Sequence, residues 1–504
     1  MPRFVKTPMF AAIALALVMA IGSAAAQTTL RIGIDVDPIN LDPAQMSHME
    51  AHRFVALIYP TLLKYDAQLR LVPHLATSFE ILDDRTYEFT LRDDVMFHHG
   101  RLMVADDVKF SIERILDPEV PSPEAFELEP IEEVVVVDDH TVRIITKEPF
   151  APILHGLTFG LGIHAPESVE EYGDLRFFGS GTGPFRLVEY IPDSIVILER
   201  FDDYFGPTPL LDRVEYHIIP DAPARTTALR AGDIDVARYD DAKAVAPLRR
   251  DANLTVDYVG APRILHYHLN HRRAPFDDAR VRLAMSCAID REAIAQLVFL
   301  GDALPSGPIP PSMTDWALPT DEMPCYTRDL DRARELLAEA GYPDGFASTM
   351  VGTTRFPVDI EVGQVMKEQL AEVGIEMEIE QVEWGDLLDL WITRFDFDTL
   401  LITSFTGRDP DANFGRRFES TSTRNAVGYD NPEVDDLIAR SRTTIDFDTR
   451  WEIFRDLQLI ITEESAKIFV VEYPYYEVYR DEVVNWVTHP MGMHYHLDQV
   501  DLQR

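Results

Sequence analysis

The first 26 residues indicate in which compartment the chain folds, and this limits the kinds of protein it can be. Arg3 and Lys6 precede an unbroken apolar run over residues 9–21, and four small residues follow it. This order of basic, apolar and small-residue segments is typical of a secretory signal peptide, and the run is too short to cross a bilayer. We expect cleavage near Ala26, so that the remaining chain folds outside the inner membrane.

The charge of the chain excludes two classes of function. The 504 residues carry a formal net charge of −40 at neutral pH. A surface of this sign repels nucleic-acid phosphates and anionic lipid headgroups, so we expect neither nucleic-acid binding nor attachment to a membrane surface.

Strand and turn signals dominate the chain after the signal. Residues 30–34 alternate as a strand, and two hairpins are centred on the acidic turns at 83–85 and 138–140. Between the hairpins, residues 104–115 place apolar side chains at helical spacing, with two aspartates in the first turn. We expect these elements to form a small α/β unit.

The second half of the chain alternates helices with strands. The glycine-rich loop at 179–184 predicts a crossing between domains, and helices become frequent from residue 277 onward. We expect Asp277, Asp290 and Asp329 to cap three of these helices. The whole pattern predicts an α/β protein of at least two lobes.

Cys287 and Cys325 are the only cysteines. An exported chain can oxidise them to a disulfide. Cys287 also fits the apolar face of a helix, so a buried free thiol is an equal alternative. Neither alternative suggests catalysis by cysteine.

Short motifs recur in a fixed order over more than 350 residues. They are PHLATSFE at 73–80, TYEFTLRDDVMFHHGRLMVADDVKFSIER at 86–114, GTGPFRLVEY at 181–190, IPDAPARTTALRAGDIDVA at 219–237, LNHRRAPFDDARVRLAMSCAIDREAI at 269–294, LDRARELLAEAGYPDGF at 330–346, RDPDANF at 408–414 and NPEVDDLI at 431–438. In this order the segments resemble the solute-binding proteins of the peptide/nickel family, which are the dipeptide and oligopeptide receptors of ABC importers. The resemblance covers nearly all of the mature chain.

The resemblance implies two lobes joined by a two-stranded hinge, with an additional inserted domain. The predicted divisions are 27–62 with 180–268 and 478–504 for domain I, 63–179 for the inserted domain II, and 269–477 for domain III. A small peptide or peptide-like ligand would lie between domains I and III. The family also implies a periplasmic monomer that delivers its ligand to ABC permease subunits and needs no cofactor.

One candidate site residue binds the ligand carboxylate by family analogy. Receptors for dipeptides hold that group with an arginine that follows a domain III strand, and Arg355 matches it by position. A guanidinium can bind both carboxylate oxygens. The alternative is an ordinary surface arginine in a loop.

The partner for the ligand's amino group departs from the family pattern. Dipeptide receptors place an aspartate four positions before the proline of their DP motif, whereas counting back from Pro410 reaches Thr406. This difference argues against an ordinary free-amine dipeptide. Arg408 and Asp409 flank the position and suit a ligand with a second carboxylate, a blocked amine or an opine-like head, although Asp409 can equally cap the following turn.

Four further residues are candidates by position. Trp384 and Phe405 are expected as aromatic walls of the ligand site, with core packing as the alternative. Asn40 and Met46 lie in the first loop of domain I, which borders the cleft in the family, where backbone groups bind the ligand as an added strand.

Two histidines, His266 and His268, alternate to one face of a strand just before the predicted hinge crossing, so they are candidates for the border of the pocket. Two such residues lack the further ligands of a closed metal site, and no HExxH spacing occurs, so we expect no metal.

Other functions stay open at this stage. An opine, an oligosaccharide or a metal chelate are alternative ligands on the same fold, and a sensor is an alternative partner. A secreted hydrolase is the rival class, but the chain contains no GxSxG, SxxK or Walker motif, and we expect no enzyme.

Overall fold

The computed structural model describes residues 27–46, 49–123, 125–158, 161–173, 175–405, 407 and 409–503. The predicted signal peptide lies outside these residues, as does the candidate Arg408. None of the helices in the described ranges is long and apolar enough to span a bilayer.

The strands group into three larger sheets and two short ribbons. In chain order they are β1 (Thr29–Ile34), β2 (Leu63–Tyr65), β3 (Leu71–Pro73), β4 (Ala76–Ile81), β5 (Thr86–Leu91), β6 (Ile131–Asp138), β7 (Thr141–Thr146), β8 (Phe185–Ile191), β9 (Ile195–Arg200), β10 (Arg213–Ile218), β11 (Val236–Tyr239), β12 (Leu254–Val259), β13 (Arg263–Leu269), β14 (Leu304–Pro305), β15 (Phe346–Thr353), β16 (Ile375–Val382), β17 (Thr399–Phe405), β18 (Ile468–Glu472), β19 (Tyr475–Arg480), β20 (Val483–Val484) and β21 (Asp501–Leu502).

The helices cover the sheet faces and the ends of the strands. They are α1 (Met49–Ile58), α2 (Ala105–Leu116), α3 (Ala125–Leu128), α4 (Ile153–Gly156), α5 (Pro166–Tyr172), α6 (Ala222–Ala231), α7 (Ala242–Val245), α8 (Ala279–Ala288), α9 (Arg291–Phe299), α10 (Leu330–Glu339), α11 (Pro357–Ala371), α12 (Trp384–Leu388), α13 (Asp411–Phe418), α14 (Pro432–Thr443) and α15 (Phe447–Glu463). Short 3-10 turns cover Leu248–Arg250, Thr320–Glu322 and Tyr495–Asp498, and a π turn covers Asp389–Thr393. The predicted α/β class is confirmed.

A seven-stranded sheet has the order β12-β19-β11-β1-β10-β9-β8. β1 is central and pairs in parallel with β10 and β11, as an alternating strand with a buried face can do. Its core side chains include Leu30, Ile32 and Val214. The sheet also takes in β19 from near the C-terminus, so this lobe is built from distant parts of the chain.

The four-stranded sheet, β4-β5-β7-β6, contains both hairpins that the acidic turns predict. α2 packs beside it and buries Val108, Ile112 and Ile115, with Asp106 and Asp107 in its first turn. These residues form a hydrophobic core of their own, so the predicted α/β unit is confirmed.

The six-stranded sheet, β14-β18-β13-β17-β15-β16, carries the third large core. Asp290 and Asp329 cap α9 and α10 as predicted. The prediction for Asp277 is wrong by one residue, because the side chain of Asp278 accepts the hydrogen bond from the backbone N–H of Arg280. The structure joins Cys287 to Cys325 in a disulfide within this lobe.

The chain crosses twice between the two larger sheets. β12 belongs to the seven-stranded sheet and β13 to the six-stranded one, while the return runs from β18 to β19. The strand pairing therefore differs from the predicted domain limits, because 263–268 pair with domain III strands and 475–477 with domain I strands. The pairing favours limits near 260–262 and 473–474, and the domain limits stay a prediction.

The glycine loop packs against the end of α1. A Cβ atom on Gly181 would lie 1.9 Å from the carbonyl oxygen of Ile58, and one on Gly183 would lie 2.0 Å from that of Leu57. Both contacts are too close for any side chain, so glycine is required where the chain passes from the four-stranded to the seven-stranded sheet.

Candidate functional site

A cavity of about 260 Å³ lies where the three sheet-bearing parts of the molecule meet. Phe405 at the end of β17 and Arg417 on α13 line it from the six-stranded side. Phe126 of α3 lines it from the four-stranded side, and Met491 lines it from the segment after β20. Since separate parts of the fold supply its walls, a rotation of one part against another changes the cavity.

Two cations lie in its wall close to one another. Lys467 directly precedes β18 and is 2 % exposed, with its ammonium 4.9 Å from the centre of the Phe418 ring. Burial, together with the nearby charge of Arg417, holds the pKa of Lys467 well below its usual range. Burial, with a smaller effect of Arg416, lowers the pKa of Arg417 to about 10.

The Arg417 guanidinium is positioned by neutral groups. It donates to the backbone oxygen of Phe405 at 3.0 Å and to the side-chain oxygen of Asn413, one turn earlier on α13. Neither acceptor carries a charge. In the described part of the chain, no carboxylate forms an ion pair with Arg417 or Lys467.

His266 and His268 lie on one face of β13, as their alternation predicts. Each is 1 % exposed, and their ring centroids are 4.8 Å apart. His268 packs edge-on against Trp391, which lines the cavity, at 5.3 Å between centroids. Burial, and then the charge of Lys467, holds the pKa of both imidazoles well below the usual value, so they are neutral. Among the described residues, neither ring finds a hydrogen-bond partner.

Of the residues that the sequence singled out, Phe405 lines the cavity. Arg355 and Trp384 lie together elsewhere on the six-stranded lobe, where the guanidinium carbon is 5.2 Å from the centre of the indole ring. Arg355 is exposed in the loop after β15, and Trp384 is half-buried beside Phe356. Neither lines the cavity, and their roles in ligand binding stay predictions.

Asp409 has a structural partner. Arg450 of α15 donates to both of its carboxylate oxygens, at 2.6 and 2.7 Å. Burial alone would raise the pKa of Asp409, but the Arg450 charge and hydrogen bonds hold it below the usual value. Asp409 also accepts from the backbone N–H of Asp411, which is the turn-capping alternative. Arg408 and Thr406 lie outside the described residues.

Asn40 and Met46, the two candidates from the first loop of domain I, have structural roles. The side-chain oxygen of Asn40 accepts from the backbone N–H of Asp42 at 2.8 Å, which forms an Asx turn. Met46 is 2 % exposed and packs in the core of the seven-stranded sheet. Their predicted roles at the cleft border stay predictions.

Arg417 and Lys467 were not singled out from the sequence. The signal for Lys467 was present, because it is one of only seven lysines and directly precedes the apolar run 468–471. A lysine next to a buried strand is unusual, because lysine is rarely buried unless it has a partner. Arg417 offered no comparable signal, since it follows Arg416 on a short polar helix.

Comparisons with known proteins agree with the motif order. Residues 70–426 match the model of the bacterial extracellular solute-binding proteins, family 5. The Escherichia coli dipeptide-binding protein is 28 % identical over 471 residues, which is 86 % of each chain. The glutathione-binding protein GsiB of Pectobacterium atrosepticum is 28 % identical over 447 residues, again 86 % of each chain.

A solved structure shares the fold. The periplasmic binding protein DppA from Helicobacter pylori, in complex with the peptide STSA, is 26 % identical to this chain, with a TM-score of 0.79. The match covers 94 % of this chain and 98 % of that one. The predicted two-lobed fold is therefore confirmed.

Proposed function

Because this chain belongs to the bacterial extracellular solute-binding proteins of family 5, we propose that it captures a small peptide or peptide-like solute for an ABC importer. The cavity that separate lobes line together is the observation that supports this most. Its volume of about 260 Å³ lies just below the range of about 300–1,000 Å³ that is usual for small-molecule sites. Relatives that carry the names dipeptide-binding and glutathione-binding protein support a ligand of this size.

The proposed cycle uses the two chain crossings as a hinge. The lobes close on the solute, which excludes water from the cavity and strengthens each polar contact inside it. Phe405 and Trp391 supply apolar area for the body of the ligand. Arg355 approaches a ligand carboxylate on closure, since its exposed guanidinium is free of any described carboxylate. The closed form then docks on the permease subunits.

The remaining parts of the proposal follow from the family. The mature protein is a periplasmic monomer, its work is binding without catalysis, and nucleic acid is no partner. Asp409, just before α13, is tied to α15 through its ion pair with Arg450, and its role in ligand binding is part of the proposal.

A thermal-shift screen tests the function. Ligand that binds only the folded form stabilises it by about 2.7 kcal/mol at a hundredfold excess over Kd. We expect a higher melting temperature with one class among dipeptides, tripeptides, glutathione and opines. A shift with oligosaccharides alone would overturn the assignment to peptide-like solutes.

A further inference from the structure

The cavity has an excess of positive charge. Arg416, Arg417, Arg424 and Lys467 line it, and Glu127 is the one carboxylate among its described lining residues. Arg416 and Arg424 are exposed at the rim, whereas Lys467 is buried. The protein as a whole carries a net charge of −40, so this local excess is opposite to the rest of the molecule.

Burying a cation without a counter-charge is costly, and proteins normally pair such a group or leave it in water. The described residues place no carboxylate in ion-pair contact with Lys467, whose ammonium lies over the face of Phe418. Besides burial, the like charge of Arg417 lowers the pKa of Lys467. The charged form of Lys467 is therefore unfavourable in the empty protein, as its lowered pKa shows, and becomes favourable when an anion enters.

The same place offers unused hydrogen-bond donors. An ammonium has three N–H donors, and a neutral imidazole has one. The rings of His266 and His268 lie near enough to Lys467 for its charge to lower their pKa, and they have no hydrogen-bond partner among the described groups, but neither ring lines the cavity. A carboxylate has two oxygens and about four lone-pair sites, so it can accept from the ammonium and the guanidinium together.

We propose that this basic cluster, Lys467 and Arg417 with Arg416 and Arg424 at the rim, binds a second carboxylate of the solute, so that the protein selects acidic peptide-like ligands. The inference rests on the proposed function, because it specifies the class of solute for the same cavity. An acidic dipeptide, a γ-glutamyl peptide or an opine shares the required chemistry.

Isothermal titration with paired probes tests this selection. The acidic probes are Glu-Ala, Ala-Glu and glutathione, and the neutral partners of the first two are Gln-Ala and Ala-Gln. Each pair has nearly the same shape and differs by one negative charge. We expect the Kd of at least one acidic dipeptide to be lower than that of its amide partner by a factor of about 30 or more, because the amide leaves the buried cations unpaired.

Lys467→Met assigns the effect to this cluster. Methionine keeps much of the side-chain length and removes the charge, so affinity for the acidic probe falls by about 30-fold or more and affinity for its amide changes little. Without ligand, Lys467→Met should melt at or above the temperature of wild type, because the variant no longer buries an unpaired amine. If Lys467 had only a structural role, the variant would melt at a lower temperature. Lys367→Met, on α11 and outside the cavity lining, is the matched control and leaves both affinities unchanged.

The outcomes distinguish failure of the selection for acid from failure of the proposed function. Equal affinity for acidic and neutral probes, with Lys467→Met binding like wild type, would overturn the selection for acid and leave the peptide function standing. No binding of any peptide, opine or glutathione would overturn the proposed function itself. Arg417→Met repeats the test from the other cation, should Lys467→Met fail to fold.

Discussion

Arg263 holds the two chain crossings together, and its removal tests how the hinge is stabilised. It is the first residue of β13 and is 5 % exposed. Its Nε donates to the backbone oxygen of Tyr473 at 3.0 Å, and Nη2 donates to that of Pro474 at 2.5 Å. The guanidinium carbon lies 3.9 and 3.7 Å from the ring centres of Tyr473 and Tyr475. One side chain on the first crossing therefore contacts the whole of the second.

The expected cost of Arg263→Met follows from these contacts. The two hydrogen bonds to backbone oxygens contribute about 1.5–3 kcal/mol each, and stacking on two rings adds about 1–2 kcal/mol. The third contact, from Nη1 to the half-exposed Asp240 at 3.4 Å, adds little. The methionine side chain recovers part of the packing. We expect the free energy of unfolding to fall by about 3–5 kcal/mol, because two buried carbonyl oxygens also lose their donors.

Urea unfolding followed by tryptophan fluorescence measures this change. Arg332→Met is the matched control, since Arg332 is exposed and pairs only with surface glutamates, and it should cost less than about 0.5 kcal/mol. A loss below about 1 kcal/mol for Arg263→Met would refute the reasoning, because the crossings would then be held by the strands alone.

Three further predictions concern single residues. Arg355→Ala should weaken binding of the cognate ligand about 30- to 5,000-fold by calorimetry and leave the melting temperature of the empty protein unchanged, because the exposed side chain is hydrated without ligand. Burial, partly offset by hydrogen bonds from Thr403, raises the pKa of Asp359 to about 7. The folded pKa of Asp359 exceeds its unfolded value, so its contribution to stability is complete below about pH 4 and is lost as pH rises through about 7. The melting temperature of wild type should therefore fall between these two pH values, and Asp359→Asn should make this fall smaller. Cys287→Ser should lower the free energy of unfolding by about 4 kcal/mol, since the disulfide to Cys325 spans 38 residues, and dithiothreitol should no longer change the urea midpoint.

The strands and helices could be predicted from signals that act over a few neighbouring residues. The acidic turns at 83–85 and 138–140 define both hairpins, because turn chemistry acts over a few residues. Caps were predicted where a single aspartate precedes the helix, as at Asp290. Where two aspartates are adjacent, the sequence could not tell which side chain would reach the helix, and the structure selects Asp278.

The candidate site depends on contacts between distant parts of the chain. Lys467 and His266 are about two hundred residues apart and come close because β18, which follows Lys467 directly, pairs with β13. Alternation alone placed His266 and His268 on one face, but it could not say which cations lie beside them. The resemblance to a family supplied Arg355 and aromatic character suggested Phe405, whereas the basic cluster needs the three-dimensional structure.

The acidic surface and the basic cavity act on an anionic solute at different distances. The net charge of −40 repels it from outside, and this repulsion extends over about 30 Å at 0.01 M ionic strength but only about 8 Å at 0.15 M. Inside the cavity, the buried charge of Lys467 is screened much less. The association rate of an acidic peptide should therefore rise with added salt, whereas its dissociation rate should change little. Stopped-flow fluorescence measures both rates, and an association rate that falls with salt would mean that the basic cluster already steers the ligand from outside the cavity.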